Sequence, residues 1–165
     1  MYDAGMSVEP AKVCVERIVS GGQTGVDRGA LQAAIELGIP HGGWCPRGRR
    51  AEDGVISRAF DLTETESSKY WVRTEKNVID SDGTLILVIG ALSGGTELTY
   101  RMAIKHGKPH LVADLRNRTA MAETRRWLGE HQIRSLNVAG PRESSARGIT
   151  RETQSFITAL LQRTD

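Results

Sequence analysis

Arg17-Ile18-Val19-Ser20-Gly21-Gly22-Gln23-Thr24-Gly25-Val26-Asp27-Arg28-Gly29 carries an apolar stretch into a glycine-rich turn. The turn leads into Val26, Ala30, Ala33, Ala34 and Leu37, which recur at helical spacing. The pattern predicts a buried strand, a tight turn and a helix, in that order. A helix that starts on such a turn presents free N–H groups and the positive end of its dipole, a combination that suits an anion. Glycine at 21, 22 and 25 lets main chain approach a ligand where a side chain would intrude. The spacing is neither the G-x-G-x-x-G of dinucleotide folds nor the Gly-Lys-Ser/Thr of nucleoside triphosphate loops. A tight connection with close packing explains the glycines equally well.

The same order of elements repeats along the chain. Thr84-Leu85-Ile86-Leu87-Val88-Ile89 is a continuous apolar run, as expected for a parallel strand covered on both faces. Ser93-Gly94-Gly95-Thr96 then opens a second helix, predicted to stop at Gly107. Further strands are expected at 108–113 and 135–139, and further helices at 70–80, 119–131 and 150–161, with Thr119 as a helix cap. Phe156, Ile157, Leu160 and Leu161 mark the inner side of the last helix. Alternation of this kind implies a Rossmann-like α/β fold: one doubly wound, mostly parallel sheet with helices on both faces. Ligands bind such sheets beyond the carboxyl ends of the strands, where the strand order reverses. The expected organisation is a loose tail over 1–15 and a single domain over 16–165.

Composition narrows the function classes. The chain has 165 residues, 25% of them charged, and a formal net charge of +2. Near-neutral charge and 5% aromatic residues weigh against nucleic acid, which calls for cationic grooves and stacking rings. No run approaches the roughly 20 apolar residues of a membrane span. The two cysteines, Cys14 and Cys45, lack metal-type spacing and fit a reducing cytoplasm.

Candidate ligand-binding residues fall in five segments. The first turn offers Gly21, Gly22, Gln23, Thr24, Gly25, Asp27 and Arg28, and the second Ser93, Gly94, Gly95 and Thr96. Cys45-Pro46-Arg47-Gly48-Arg49-Arg50 concentrates guanidinium groups whose forks match phosphate. It serves equally well as a solvated charged loop, with Cys45 a small buried residue, a nucleophile or a soft metal ligand. Arg73, Thr74, Asn77 and Asp80 share one helix face, which lines a cleft or decorates an exterior. Arg142 follows the last strand in Gly140-Pro141-Arg142-Glu143-Ser144. The four histidines show no ligand spacing, so no metal site is assigned.

These segments, with Tyr70-x2-Arg73-Thr74-x2-Asn77, Gly94-Gly95-Thr96-x-Leu98-Thr99 and Asn137-Val138-Ala139-Gly140-Pro141-Arg142-Glu143-Ser144, resemble the motifs of the molybdenum carrier (molybdenum cofactor carrier-like) family over residues 16–161. The resemblance implies a Rossmann-like fold in the SLOG superfamily, which includes the lysine-decarboxylase-like phosphoribohydrolases and the DNA processing protein. It implies molybdenum cofactor (molybdopterin), a phosphate-bearing pterin, as noncovalent cargo, and a homo-oligomer, dimer or tetramer. The phosphate would then sit at Gly21–Gly25 or Gly94–Thr96, the molybdenum oxo end at arginines, and the pterin edge at Asp27, Thr74 and Asn77. One alternative is a nucleoside 5'-monophosphate phosphoribohydrolase, with Glu97 as the catalytic carboxylate. In those enzymes the glutamate lies further beyond the threonine, and Glu97 follows Thr96 directly. A sensor of a nucleotide-derived ligand is the second alternative.

Overall fold

The computed structural model describes residues 12–163. Most of the expected N-terminal tail, residues 1–11, lies outside them; Val13 and Val15 already pack against the core. The elements follow in the order β1 (Arg17–Val19), α1 (Val26–Leu37), β2 (His41–Gly42), β3 (Trp44–Cys45), β4 (Arg50–Ala51), β5 (Gly54–Val55), β6 (Thr63–Glu64), α2 (Tyr70–Ile79), β7 (Gly83–Val88), α3 (Gly94–Lys105), β8 (His110–Asp114), α4 (Ala120–Glu130), β9 (Ser135–Ala139) and α5 (Ile149–Leu161).

Five strands form one parallel sheet in the order β2-β1-β9-β7-β8. The apolar run of β7 is buried at every position, as a strand covered on both faces requires. α5 packs on α1 and α4, and α2 packs on α3, which divides the helices between the two faces. From β1 the chain turns outward to β2, and from β7 it turns outward the opposite way to β8. Right-handed crossovers then send α1 and α3 to opposite faces, and a crevice opens between their N-termini above the end of β9.

The main core gathers Ile18, Val26, Leu85, Leu87, Leu128, Leu136, Val138, Ile149 and Ile157, all fully buried or nearly so. Of the predicted inner side of α5, Ile157 and Leu160 are in this core, with Phe156 and Leu161 partly buried against it. A smaller apolar cluster of Leu31, Cys45, Ile56, Phe60 and Leu62 lies beneath the β4–β5 hairpin and the loop after it. Thr119 does not cap α4 with its side chain, as the sequence suggested. Its N–H donates to Asn117 Oδ1, and its hydroxyl lies within hydrogen-bond distance of both Asn117 Oδ1 and Glu123 Oε1, so it serves side-chain oxygens as a donor and caps no helix amide.

Candidate functional site

Three loops and one helix face converge on the crevice. Gly21, Gln23 and Asp27 come from the β1–α1 turn, and Ser93, Gly94, Gly95 and Thr96 from the start of α3. Asn137, Gly140, Pro141 and Arg142 come from the end of β9 and the loop after it, and Tyr70, Arg73, Thr74 and Asn77 from α2. They enclose a cavity of about 290 Å³, close to the lower end of the ~300–1,000 Å³ of small-molecule sites.

The two glycine turns look alike in sequence and differ in their hydrogen bonds. In the first, the N–H groups of Gly22, Gln23, Thr24 and Gly25 donate to Ser20 Oγ, Asp27 Oδ2, Gln23 Oε1 and Thr150 Oγ1. Those of Val26 and Arg28 donate to the carbonyls of Pro141 and Gln23. The expectation of a row of free donors at Gly21–Gly25 therefore narrows to Gly21, whose N–H has no acceptor among the described residues; neighbouring side chains have already taken the other four. In the second turn, Ser93 makes no side-chain cap, and the N–H groups of Gly94 and Gly95 have no acceptor among the described residues. This turn keeps the anion-binding character of an open helix N-terminus.

Arg73 is 9% exposed, and Nη1 donates to the Gly21 carbonyl at 2.7 Å. That is the single hydrogen bond of its guanidinium among the described residues, so further donors remain for the cleft. Asn77, one turn on, holds α2 in place: Oδ1 accepts the Trp44 N–H at 2.7 Å and Nδ2 donates to the Trp44 carbonyl at 2.9 Å. The Arg73 side chain passes close over Gly21, where an added Cβ would stand 2.5 Å from Nη1. Gly21→Ala should displace Arg73 from the cleft and weaken anion binding roughly 10-fold or more. Titration calorimetry beside a thermal melt checks this, with affinity lost and the unfolding midpoint little changed.

Asp27 is the one carboxylate among the described residues that line the cleft. It is 7% exposed, and Oδ2 accepts the Gln23 N–H at 3.2 Å. Burial pushes its pKa up to about 6, against the opposing pull of Arg73, the Gln23 amide and Arg28. Neither arginine pairs with it: Arg73 goes to Gly21, and Arg28 to Asp53 and the Gly22 carbonyl. Asn137, between Val19 and Thr84 in the sheet, forms part of the floor and donates Nδ2 to Thr84 Oγ1.

The model of the circularly permutated YpsA SLOG family matches residues 18–161. The chain belongs to that family. A solved structure from Syntrophus aciditrophicus SB, named "Putative molybdenum carrier protein", is 44% identical with a TM-score of 0.89, over 91% of this chain and 97% of that one. No curated protein matches. The placing of β9, last in the sequence, at the centre of the sheet accords with the permuted chain order named in the family's description.

Within this SLOG domain the remaining expected site residues lie away from the cleft. Gly22 has a φ of +79° and faces Leu62 and Ile56 of the smaller core, so its role is to pack the turn. Thr24 donates to Glu52, whose carboxylate also accepts Ser144 Oγ at 2.6 Å; these bonds lower the Glu52 pKa, Ser144 contributing most. They tie the β4–β5 hairpin to the loops around the cleft. Cys45 is fully buried in the smaller core, and burial pushes its thiol pKa up, so the reading as nucleophile or metal ligand gives way to that of a small apolar residue. Pro46 is buried beside it, and the exposed Arg47 borders a separate hollow with Glu64. The Gly48 N–H donates to Glu64.

Arg49 corrects the expectation most directly. Its guanidinium is buried and donates to the carbonyls of Ile56, Ser57, Phe60 and Leu62. It organises the 56–62 loop and has no path to a ligand. Arg49→Lys leaves several of these carbonyls unmet and should cost about 2–4 kcal/mol, read as a lower urea midpoint. Arg142 does reach the cleft, at its rim, with its Nε 3.7 Å from Glu52. Arg73 was legible as one of several polar residues on a helix face, whereas Asn137, Thr99 and Ser145 came forward only in motifs or not at all. An isolated polar residue inside an apolar strand, as Asn137 is, was the available signal.

Proposed function

We propose that this protein carries molybdenum cofactor noncovalently, with the cofactor's phosphate at the N-terminus of α3. The observation that carries the reading is the open pair of amides at Gly94 and Gly95 in a cleft also lined by Arg73 and Arg142. Two unpartnered amides on a helix dipole and two guanidinium groups attract an anion strongly. The name of the Syntrophus aciditrophicus relative supports molybdenum as the cargo's metal. Among the described residues, no three His, Cys, Asp or Glu side chains gather into a metal site. In this reading the protein holds the cargo by its phosphate, ring and oxo groups, which permits release without breaking a protein–metal bond.

The phosphoribohydrolase alternative has less support. Glu97 does not line the cleft, and its carboxylate pairs with Arg101 at 2.7 Å along α3. Among the described residues no helix is long and apolar enough to cross a membrane. We retain a homo-oligomer in the cytoplasm as part of the proposal. Native mass spectrometry with metal analysis on gently purified protein tests it. Molybdenum with a pterin phosphate of matching mass is the expected result; a nucleotide without molybdenum would redirect the reading to a nucleotide-binding protein.

A further inference from the structure

Charges inside the cleft are unequal in number and differ in how they are used. Arg73, Arg142 and the amides of Gly94 and Gly95 attract anions, and Asp27 opposes them. A buried carboxylate is normally met by a cation or by several hydrogen bonds, because its charge is otherwise costly. Asp27 has two arginines near it and pairs with neither. Its Oδ2 accepts one amide, and Oδ1 accepts nothing among the described residues. A protein built only to hold phosphate would do better without this group.

We propose that Asp27 selects the ligand by accepting two adjacent N–H donors from its ring, which makes the preferred ligand a phosphate-bearing heterocycle with a cyclic guanidine edge. A carboxylate presents two parallel oxygens, and the 2-amino-4-oxo-pyrimidine ring presents a ring N–H beside an exocyclic NH₂, so the two meet as a fork. That ring is shared by guanine and pterins. Adenine lacks the ring N–H, and the 2-oxo rings of xanthine and lumazine place an acceptor where the amino group stood. Buried polar groups left unpaired make such discrimination steep. Arg73, near enough to pull down the Asp27 pKa, is placed to donate to the ring carbonyl. The inference rests on the proposed function, since the phosphate end anchors the ligand whose edge Asp27 reads.

Calorimetry with two matched probe pairs tests it: GMP against XMP, and a 6-substituted pterin monophosphate against its lumazine counterpart. The pair that binds identifies the ring system. Wild-type protein should prefer the 2-amino member at least 10-fold, and Asp27→Asn should reverse the preference, since its amide accepts the ring N–H and donates to the 2-oxo group. A residue that only shaped the fold would weaken all probes together. Equal affinity for both members of a pair, no binding of either pair, or an Asp27→Asn variant with an unchanged preference each overturns the inference. Copurification of molybdenum with the Asp27→Asn variant at wild-type levels would sink the selection role while leaving the carrier reading intact; loss of all anion binding after Arg73→Ala in a normally folded protein locates the anion end independently.

Discussion

Asp27→Asn is expected to make the protein more stable at pH 7.5 while impairing its cleft. The folded-state pKa of Asp27 is raised to about 6 from an ordinary 3.8 by burial. A carboxyl with a raised folded pKa binds its proton more tightly in the native state than in the unfolded chain. Its contribution is therefore most favourable below about pH 4, declines as pH rises through about 6, and above that it opposes folding. The interval between the two values corresponds to roughly 3 kcal/mol at neutral pH. Asparagine keeps an acceptor for the Gln23 N–H and removes the buried charge. The melting midpoint should rise by roughly 6–12 °C at pH 7.5, and the gain should shrink towards zero near pH 4. Thermal melts of both proteins across that range check the prediction; a gain independent of pH would mean that charge burial is not its source. A carboxylate kept at such a cost in a ligand cleft is the usual mark of function over stability.

The second large effect belongs to Gly25. Its φ is +82°, and an added Cβ would stand 2.2 Å from the Pro141 carbonyl oxygen and 2.7 Å from Arg142 main chain. Both neighbours are backbone, so no rotamer change relieves the overlap. Gly25→Ala combines an unfavourable backbone conformation of roughly 1–3 kcal/mol with overpacking of similar size. A loss of about 3–5 kcal/mol is a large share of the 5–15 kcal/mol that holds a typical domain together. Chemical denaturation should show it directly. The same closeness brings the loop after β9 against the start of α1 and so shapes one wall of the cleft.

How much of this could be read from the chain depends on how local the cause is. The continuous apolar run of β7 and the helical spacing of α1 announce themselves within a few residues. The meeting of both glycine turns follows from the general behaviour of parallel sheets, and the structure places residues of both in one cleft. Strand order is a long-range property, and nothing near Ser135–Ala139 announces a central strand between β1 and β7. Arginines show the difference sharply. The dense run at 47–50 drew attention, yet Arg49 spends its donors on four carbonyls, while the solitary Arg73 faces the cleft. Composition cannot say which way a guanidinium points. The first turn carried a readable warning: Gln23 and Asp27 are polar side chains within reach of the amides they occupy.

The central position of β9 also bears on biosynthesis. β1 and β7 are joined only through β9, so a nascent chain that ends before residue 135 has two unconnected half-sheets with unpaired inner edges. The cleft floor and its third loop are missing from such a chain as well. Pairings across this sequence separation form late and slowly. Closure of the sheet and completion of the cleft therefore wait until β9 has emerged from the ribosome.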